Sequence, residues 1–274
     1  MGDIPTLALM LITNDAEYAR NAIDAGVDRL MVDLEREGKC QRQRGRTTVI
    51  SDHTMDDIAT LRRDLPEAEL LVRTNPPSDH LDREIEAAIV RGADWLMLPM
   101  WTSAQQVAAF LSQVRGRARV SLLLETPQAM ARLPQVLEMA DAIEEIHVGL
   151  NDLHLGLGLS FMFECVAGGL VEAMASQIRA SGVRFGFGGI ARLGSGAVPA
   201  ELVLSEHVRL GSSLVILSRS FHQGRDVDIK HEIPRLREEE ARLRASPPSL
   251  LEQNRREFQR LVWQASQLGE SRNA

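Results

Sequence analysis

Four apolar runs in this chain end in charged or amide side chains, or lead straight into them: Asp33-Leu34-Glu35, Arg73-Thr74-Asn75, Glu125-Thr126 and Gly149-Leu150-Asn151-Asp152. A charge at the end of a buried run is costly unless a partner meets it, and convergence of the four ends on one opening would supply partners. Glu125 and Asp152 lie 27 residues apart. Their hard oxygens, with room for water and a bidentate ligand, suit Mg²⁺ or Mn²⁺. No His/Cys set competes for a zinc assignment. The two carboxylates could equally be helix N-caps or partners of a barrel arginine. Arg73 presents a planar fork matched to a substrate carboxylate, or forms a structural salt bridge to Glu35 or Asp33; the two roles are compatible. Gly149 and Gly156 allow a ligand close to the backbone.

The runs belong to a strand-then-helix rhythm. Strands are expected at 5–12, 29–33, 69–73, 95–99, 119–125, 145–150, 183–187 and within 208–217. Helices are expected between them, from an N-cap at Asn14, from Ser51 or Asp52, over 79–91, 103–114, 128–139 and 165–181, and over the short segment 199–206. The strands are apolar throughout, which implies burial on both faces. Eight such units, with no G-x-G-x-x-G after the first strand, predict a TIM (β/α)₈ barrel over an open doubly wound sheet. In that fold the strand C-termini build the active site, where the four charged ends would meet. The barrel is expected over 1–225 and additional C-terminal helices over 226–274. The stripe Leu250, Leu251, Phe258, Leu261 and Val262 there has helical spacing and reads as an oligomer contact.

Bulk properties narrow the class. The chain has 274 residues, 44% hydrophobic, with a net charge of -7, so it lacks the basic stripe of a nucleic-acid binder. Cys40 and Cys165 form no CxxC pair, which suits a reduced cytoplasmic protein. The apolar runs are strand-sized, too short to span a bilayer, so no membrane partner is expected. Gly2 and Thr6 fit a loose myristoylation pattern, but the residues after them read as a buried strand.

The ordered set Asp33-Leu34-Glu35, Arg73-Thr74-Asn75, Leu96-Met97-Leu98-Pro99, Leu124-Glu125-Thr126-Pro127 and Gly149-Leu150-Asn151-Asp152-Leu153 resembles the HpcH/HpaI aldolase and citrate lyase beta-subunit superfamily. With the strand rhythm, the resemblance covers roughly residues 5–220. It implies that Glu125 and Asp152 hold a divalent metal, Mg²⁺ or Mn²⁺, which chelates a small oxo acid such as pyruvate or oxaloacetate. It implies that Arg73 contacts that acid and steadies its enolate, with Asn75, Gly149 and Asn151 beside it at the substrate. Asp33 and Glu35 would order metal-bound water or substrate. Homotrimers or homohexamers, with C-terminal helices on a neighbouring subunit, are implied too. The chain departs from the pattern at position 36. Arg36 stands where the pyruvate-aldolase branch has a histidine base and the citrate-lyase branch tends to have Asp. The segment from Arg36 to Asp52 reads as a solvated loop or as an anion site for a larger acid. His53 reads as a capping or surface residue more readily than as a replacement base. His154 could approach the metal water, and His147 reads as packing or pointing outward.

Gly186, Gly188, Gly189 and Gly194-Ser195-Gly196 could cradle a phosphate or coenzyme A handle, or simply form a tight turn. Three functions are therefore weighed: a metal-dependent aldolase or lyase for a 2-oxo acid, a lyase or thioesterase of the same fold acting on a CoA thioester, and a non-catalytic scaffold.

Overall fold

The computed structural model describes residues 6–36, 52–221 and 228–273, with side chains to residue 267. Eight parallel strands close into a barrel in sequence order. They are β1 (Ala8–Ile12), β2 (Arg29–Asp33), β3 (Glu69–Arg73), β4 (Trp95–Leu98), β5 (Arg119–Leu124), β6 (Glu145–Val148), β7 (Arg184–Ile190) and β8 (Leu214–Leu217). The helices around them are α1 (Ala16–Asp24), α2 (Met55–Asp64), α3 (Leu81–Val90), α4 (Ala104–Val114), α5 (Pro127–Leu137), α6 (Leu150–Gly156), α7 (Glu164–Ala167), α8 (Leu170–Ala180) and α9 (Ala200–Leu210). Two more, α10 (Ile229–Arg244) and α11 (Pro248–Asn273), follow the barrel. Among the described residues no helix is long and apolar enough to cross a membrane.

Side-chain alternation sorts each strand into an outer face that meets the helices and an inner face that fills the barrel. Leu30, Val32, Leu70, Val72, Leu122 and Leu124 join the large core under the helices. Met10, Met31, Leu71, Met97, Leu123 and Leu214 form a separate apolar layer across the barrel interior. Strand register places Asp33 beside Arg73 at the C-terminal ends and Arg29 beside Glu69 at the N-terminal ends. The barrel therefore carries a charged layer at each pole, with methionine and leucine between.

Several boundaries differ from the sequence expectation. The N-cap of α1 is Asp15, which accepts the Glu17 and Tyr18 amides, in place of Asn14. Helix α2 begins after Thr54, in a capping box with Asp57, in place of Ser51 or Asp52. The helix expected over 165–181 is two, because Gly169 adopts a left-handed φ of 84° between α7 and α8. Strand β6 stops at Val148, and Asn151 and Asp152 lie in the first turn of α6. The stripe expected to seek a neighbour is laid on the chain's own barrel in part. Phe258 and Val262 are fully buried, Phe258 edge-on to Phe163 at 5.7 Å. The boundary at 225, Gly2 and Cys40 lie outside the described residues.

Candidate active site

At the C-terminal pole Arg73 grips Asp33 with both tines of its fork: Nε donates to Oδ1 at 2.8 Å and Nη2 to Oδ2 at 2.6 Å. The Glu35 amide donates to the same Asp33 Oδ1 at 3.1 Å, a short turn that brings Glu35 Oε2 to 3.6 Å from Arg73 Nε. Both structural partners proposed for Arg73 are therefore present. Burial opposes the charged guanidinium, yet Asp33, Glu35 and Glu125 together push its pKa above the ordinary arginine value.

Glu125 follows β5 and is almost wholly buried. Its Oε1 accepts the Met100 amide at 3.0 Å, with Met100 held at a left-handed φ of 52° after β4. Space for the carboxylate depends on Gly149, where a Cβ would stand 2.9 Å from both Glu125 Cβ and Oε2. Burial is the main force that raises the Glu125 pKa well above the carboxylate range. The charges of Glu35 and Asp152 add to it, while Arg73 and the Met100 amide oppose it. Glu125 thus feels the other acids of the mouth and Arg73 together. Neither acid is an N-cap: Thr126 caps α5 and Gly149 precedes α6. Among the described residues, Arg73 pairs with Asp33 and approaches Glu35, and Glu125 interacts with Arg73, Glu35 and Asp152.

The remaining expected residues have other surroundings. Asn75 forms a bracket: its amide N–H and Nδ2 donate to Glu84, while Oδ1 accepts the Arg36 N–H at 2.9 Å. Asn151 is exposed on α6. Arg36 turns its guanidinium onto the carbonyls of Asp52 and His53. His53 is buried, not a surface or capping residue, and its Nδ1 accepts the Asp33 N–H at 3.0 Å. Burial lowers its pKa, so the neutral ring carries its hydrogen on Nε2. His154 donates Nδ1–H back to Leu150 O at 3.1 Å within α6. His147 does not point outward. Its neighbour in register is Leu123 of the inner layer, and Nε2 meets Gly188 O at 2.8 Å. Gly186, Gly188 and Gly189 lie within β7, and in the Gly194-Ser195-Gly196 segment after it the Gly194 amide donates to Glu201 at 2.7 Å. Cys165 is buried, which pushes its thiol up to about 11. The bracket residue Glu84 and the Met100 amide went unread in the sequence.

Among the described residues no group of three or more His, Cys, Asp or Glu side chains is arranged to hold a metal ion. A cation in this mouth would draw on the Glu125 and Asp152 carboxylates and complete its shell with water and substrate oxygens. That donor set, all oxygen, fits Mg²⁺ or Mn²⁺ better than zinc.

A family model described as HpcH/HpaI aldolase/citrate lyase matches residues 7–168, a span that contains every residue of this mouth. The solved structure of an HpcH/HpaI aldolase from Desulfitobacterium hafniense DCB-2 superposes with a TM-score of 0.59, over 78% of this chain and 86% of that one. At 16% identity this is a likeness of fold. A pyruvate kinase of Methylorubrum extorquens is 34% identical over 79 residues, 29% of this chain and 16% of that relative, so the chain spans only a small part of it.

Proposed function

The chain belongs to the HpcH/HpaI aldolase/citrate lyase family, and from that premise we propose that it makes or breaks a carbon–carbon bond beside the carbonyl of a small 2-oxo acid, with Mg²⁺ or Mn²⁺ held by Glu125 and Asp152. The observation that supports this reading is the buried Glu125 carboxylate, which feels Glu35, Asp152 and Arg73 together and whose pKa burial and the two neighbouring acids raise. When bound, a divalent cation supplies Lewis-acid stabilisation to the oxygen that becomes anionic as the bond breaks.

The protein's own residues supply the rest. Arg73 commits Nε and Nη2 to Asp33, which leaves Nη1 to meet the substrate carboxylate. Asp33 holds that guanidinium in one plane, so the donor is pre-oriented. Asn75 and Glu84 fix the backbone at Arg36 and so the turn that carries Glu35. His53 cannot take a proton at Nε2 while Asp33 N–H fills Nδ1. We therefore assign to Glu35 the removal of the proton from the aldol hydroxyl, whose oxygen becomes the carbonyl of the released aldehyde as the carbon–carbon bond breaks.

The test is cleavage of a 4-hydroxy-2-oxo acid with added Mg²⁺ or Mn²⁺ and with EDTA. Activity should vanish in EDTA, and Glu125→Gln or Asp152→Asn should lower kcat/KM by roughly 10²–10³-fold. Turnover that persists in EDTA and in Glu125→Gln refutes the assignment.

A further inference from the structure

The opposite pole of the barrel holds a cavity of about 570 Å³, lined among others by Arg29, Glu69, Trp95, Arg119 and Arg184. Trp95 is a buried part of its lining, and three guanidinium carbons crowd its indole: Arg29 at 3.7 Å, Arg119 at 4.3 Å and Arg184 at 5.2 Å from the ring centroid. The two carboxylates of the layer are fully engaged. Glu69 accepts Arg119 Nη2 on Oε1 and Trp95 Nε1 on Oε2. Glu145 accepts Arg29 Nη1 on Oε1 and Arg184 Nη2 on Oε2.

Three guanidiniums thus face two carboxylates whose oxygens are already taken. Arg29 is sealed at 2% exposure and does structural duty. Arg119 and Arg184 are 45% and 41% exposed, and each commits a single amino group. Their Nε and Nη1 groups make no hydrogen bond among the described residues. On the rim, Asp28 is neutralised by Arg237, and Glu144 is exposed with Oε2 on the Val120 amide.

We propose that this N-terminal cavity is an oxyanion-binding site, separate from the candidate catalytic mouth, in which the open edges of Arg119 and Arg184 take a carboxylate or phosphate group of a small molecule. Two forked donors beside an aromatic face form the arrangement that recognises planar or tetrahedral oxyanions. Trp95 would report binding directly, because the ligand disturbs the guanidiniums packed on its ring.

The test titrates the full chain with inorganic phosphate and, separately, with malonate, in EDTA and at constant ionic strength set by chloride. Binding is read by calorimetry and by tryptophan fluorescence. A saturable heat and fluorescence change is expected with at least one titrant, and which one saturates tells phosphate from carboxylate chemistry. Arg119→Met should weaken binding at least tenfold, and its far-ultraviolet spectrum and melting curve check that it is folded. Glu144→Gln should tighten binding a few-fold by removing a rim charge, and Arg73→Lys at the other pole should leave it unchanged. Absence of saturation with both titrants, or equal affinity in Arg119→Met, overturns the proposal. So does loss of binding in Arg73→Lys, which would place the anion in the catalytic mouth.

Discussion

The two poles of the barrel are built from the same side-chain types and reach opposite electrostatic outcomes. At the N-terminal pole Glu145, wholly buried, lies between Arg29 at 2.7 Å and Arg184 at 2.6 Å, so the buried charges there are paired. At the C-terminal pole Arg73 satisfies Asp33 and brushes Glu35, while Glu125 is left buried among like charges. A closed network stabilises only as long as it stays complete. A buried carboxylate whose pKa its surroundings raise marks a candidate functional site.

Removing one negative charge from each pole tests this contrast, because the effects should differ in sign. Glu145→Gln leaves two guanidiniums without their shared partner, one of them sealed from water, and should destabilise the fold by about 3–5 kcal/mol. Glu125→Gln removes a charge that burial and its neighbours already oppose, so in EDTA it should raise stability by on the order of 1 kcal/mol. Chemical denaturation of both variants measures the difference. Mg²⁺ should stabilise the wild type and not Glu125→Gln. Two losses of similar size would show that the mouth is as well compensated as the base, and the contrast would fail.

Between the poles, buried histidines set the response to acid. His207 stacks on Phe187, with ring centroids 3.8 Å apart, and Nδ1 meets Ser212 Oγ at 2.9 Å. Burial drives its pKa down to about 3 and that of His147 to about 4. The protonated form of His147 is opposed from both ends, by Arg73 above and Arg29 below. Each folded pKa lies below the unfolded value of 6.5, so between them the unfolded chain binds more protons. Their stabilisation is present in full above that value and is lost as pH falls through it toward the folded values, by about 1.4 kcal/mol per unit for each ring. Unfolding at pH 7.5, 6 and 5 should show this decline. His207→Phe keeps the stack and should flatten the acid limb; an unchanged slope would mean that His207 is not titrating.

Much of this was readable in the sequence. Uniformly apolar strands such as Leu70-Leu71-Val72 have one stable home, between helices and barrel interior, so their type and order followed directly. Charges after such runs had to meet, and Asp33, Arg73 and Glu125 do. Other features depended on three-dimensional context. The apolar stripe of α11 specifies a buried face but not the surface that buries it, and Phe258 found Phe163 of its own chain. The base of the barrel has a plain sequence signal, since Arg29, Glu69, Arg119, Glu145 and Arg184 each open a strand. The Met100 amide could not be foreseen, because a left-handed methionine has no local signature.

That methionine gives the smallest and most discriminating prediction. A non-glycine residue in the left-handed region is strained by about 1–2 kcal/mol. Met100→Gly releases the strain and keeps the N–H that holds Glu125 Oε1, while the unfolded chain gains conformational entropy worth about 0.5–1 kcal/mol. The net change in stability should therefore be a gain of less than about 1 kcal/mol. If the strain serves the mouth by fixing Glu125 against Gly149, the same variant should bind Mg²⁺ a few-fold more weakly, since a freer backbone aims the amide less well. Stability and affinity would then move in opposite directions, which accidental strain would not produce. Unchanged Mg²⁺ affinity in a stabilised Met100→Gly would instead make the turn a by-product of joining β4 to α4, and the poles would differ in charge alone.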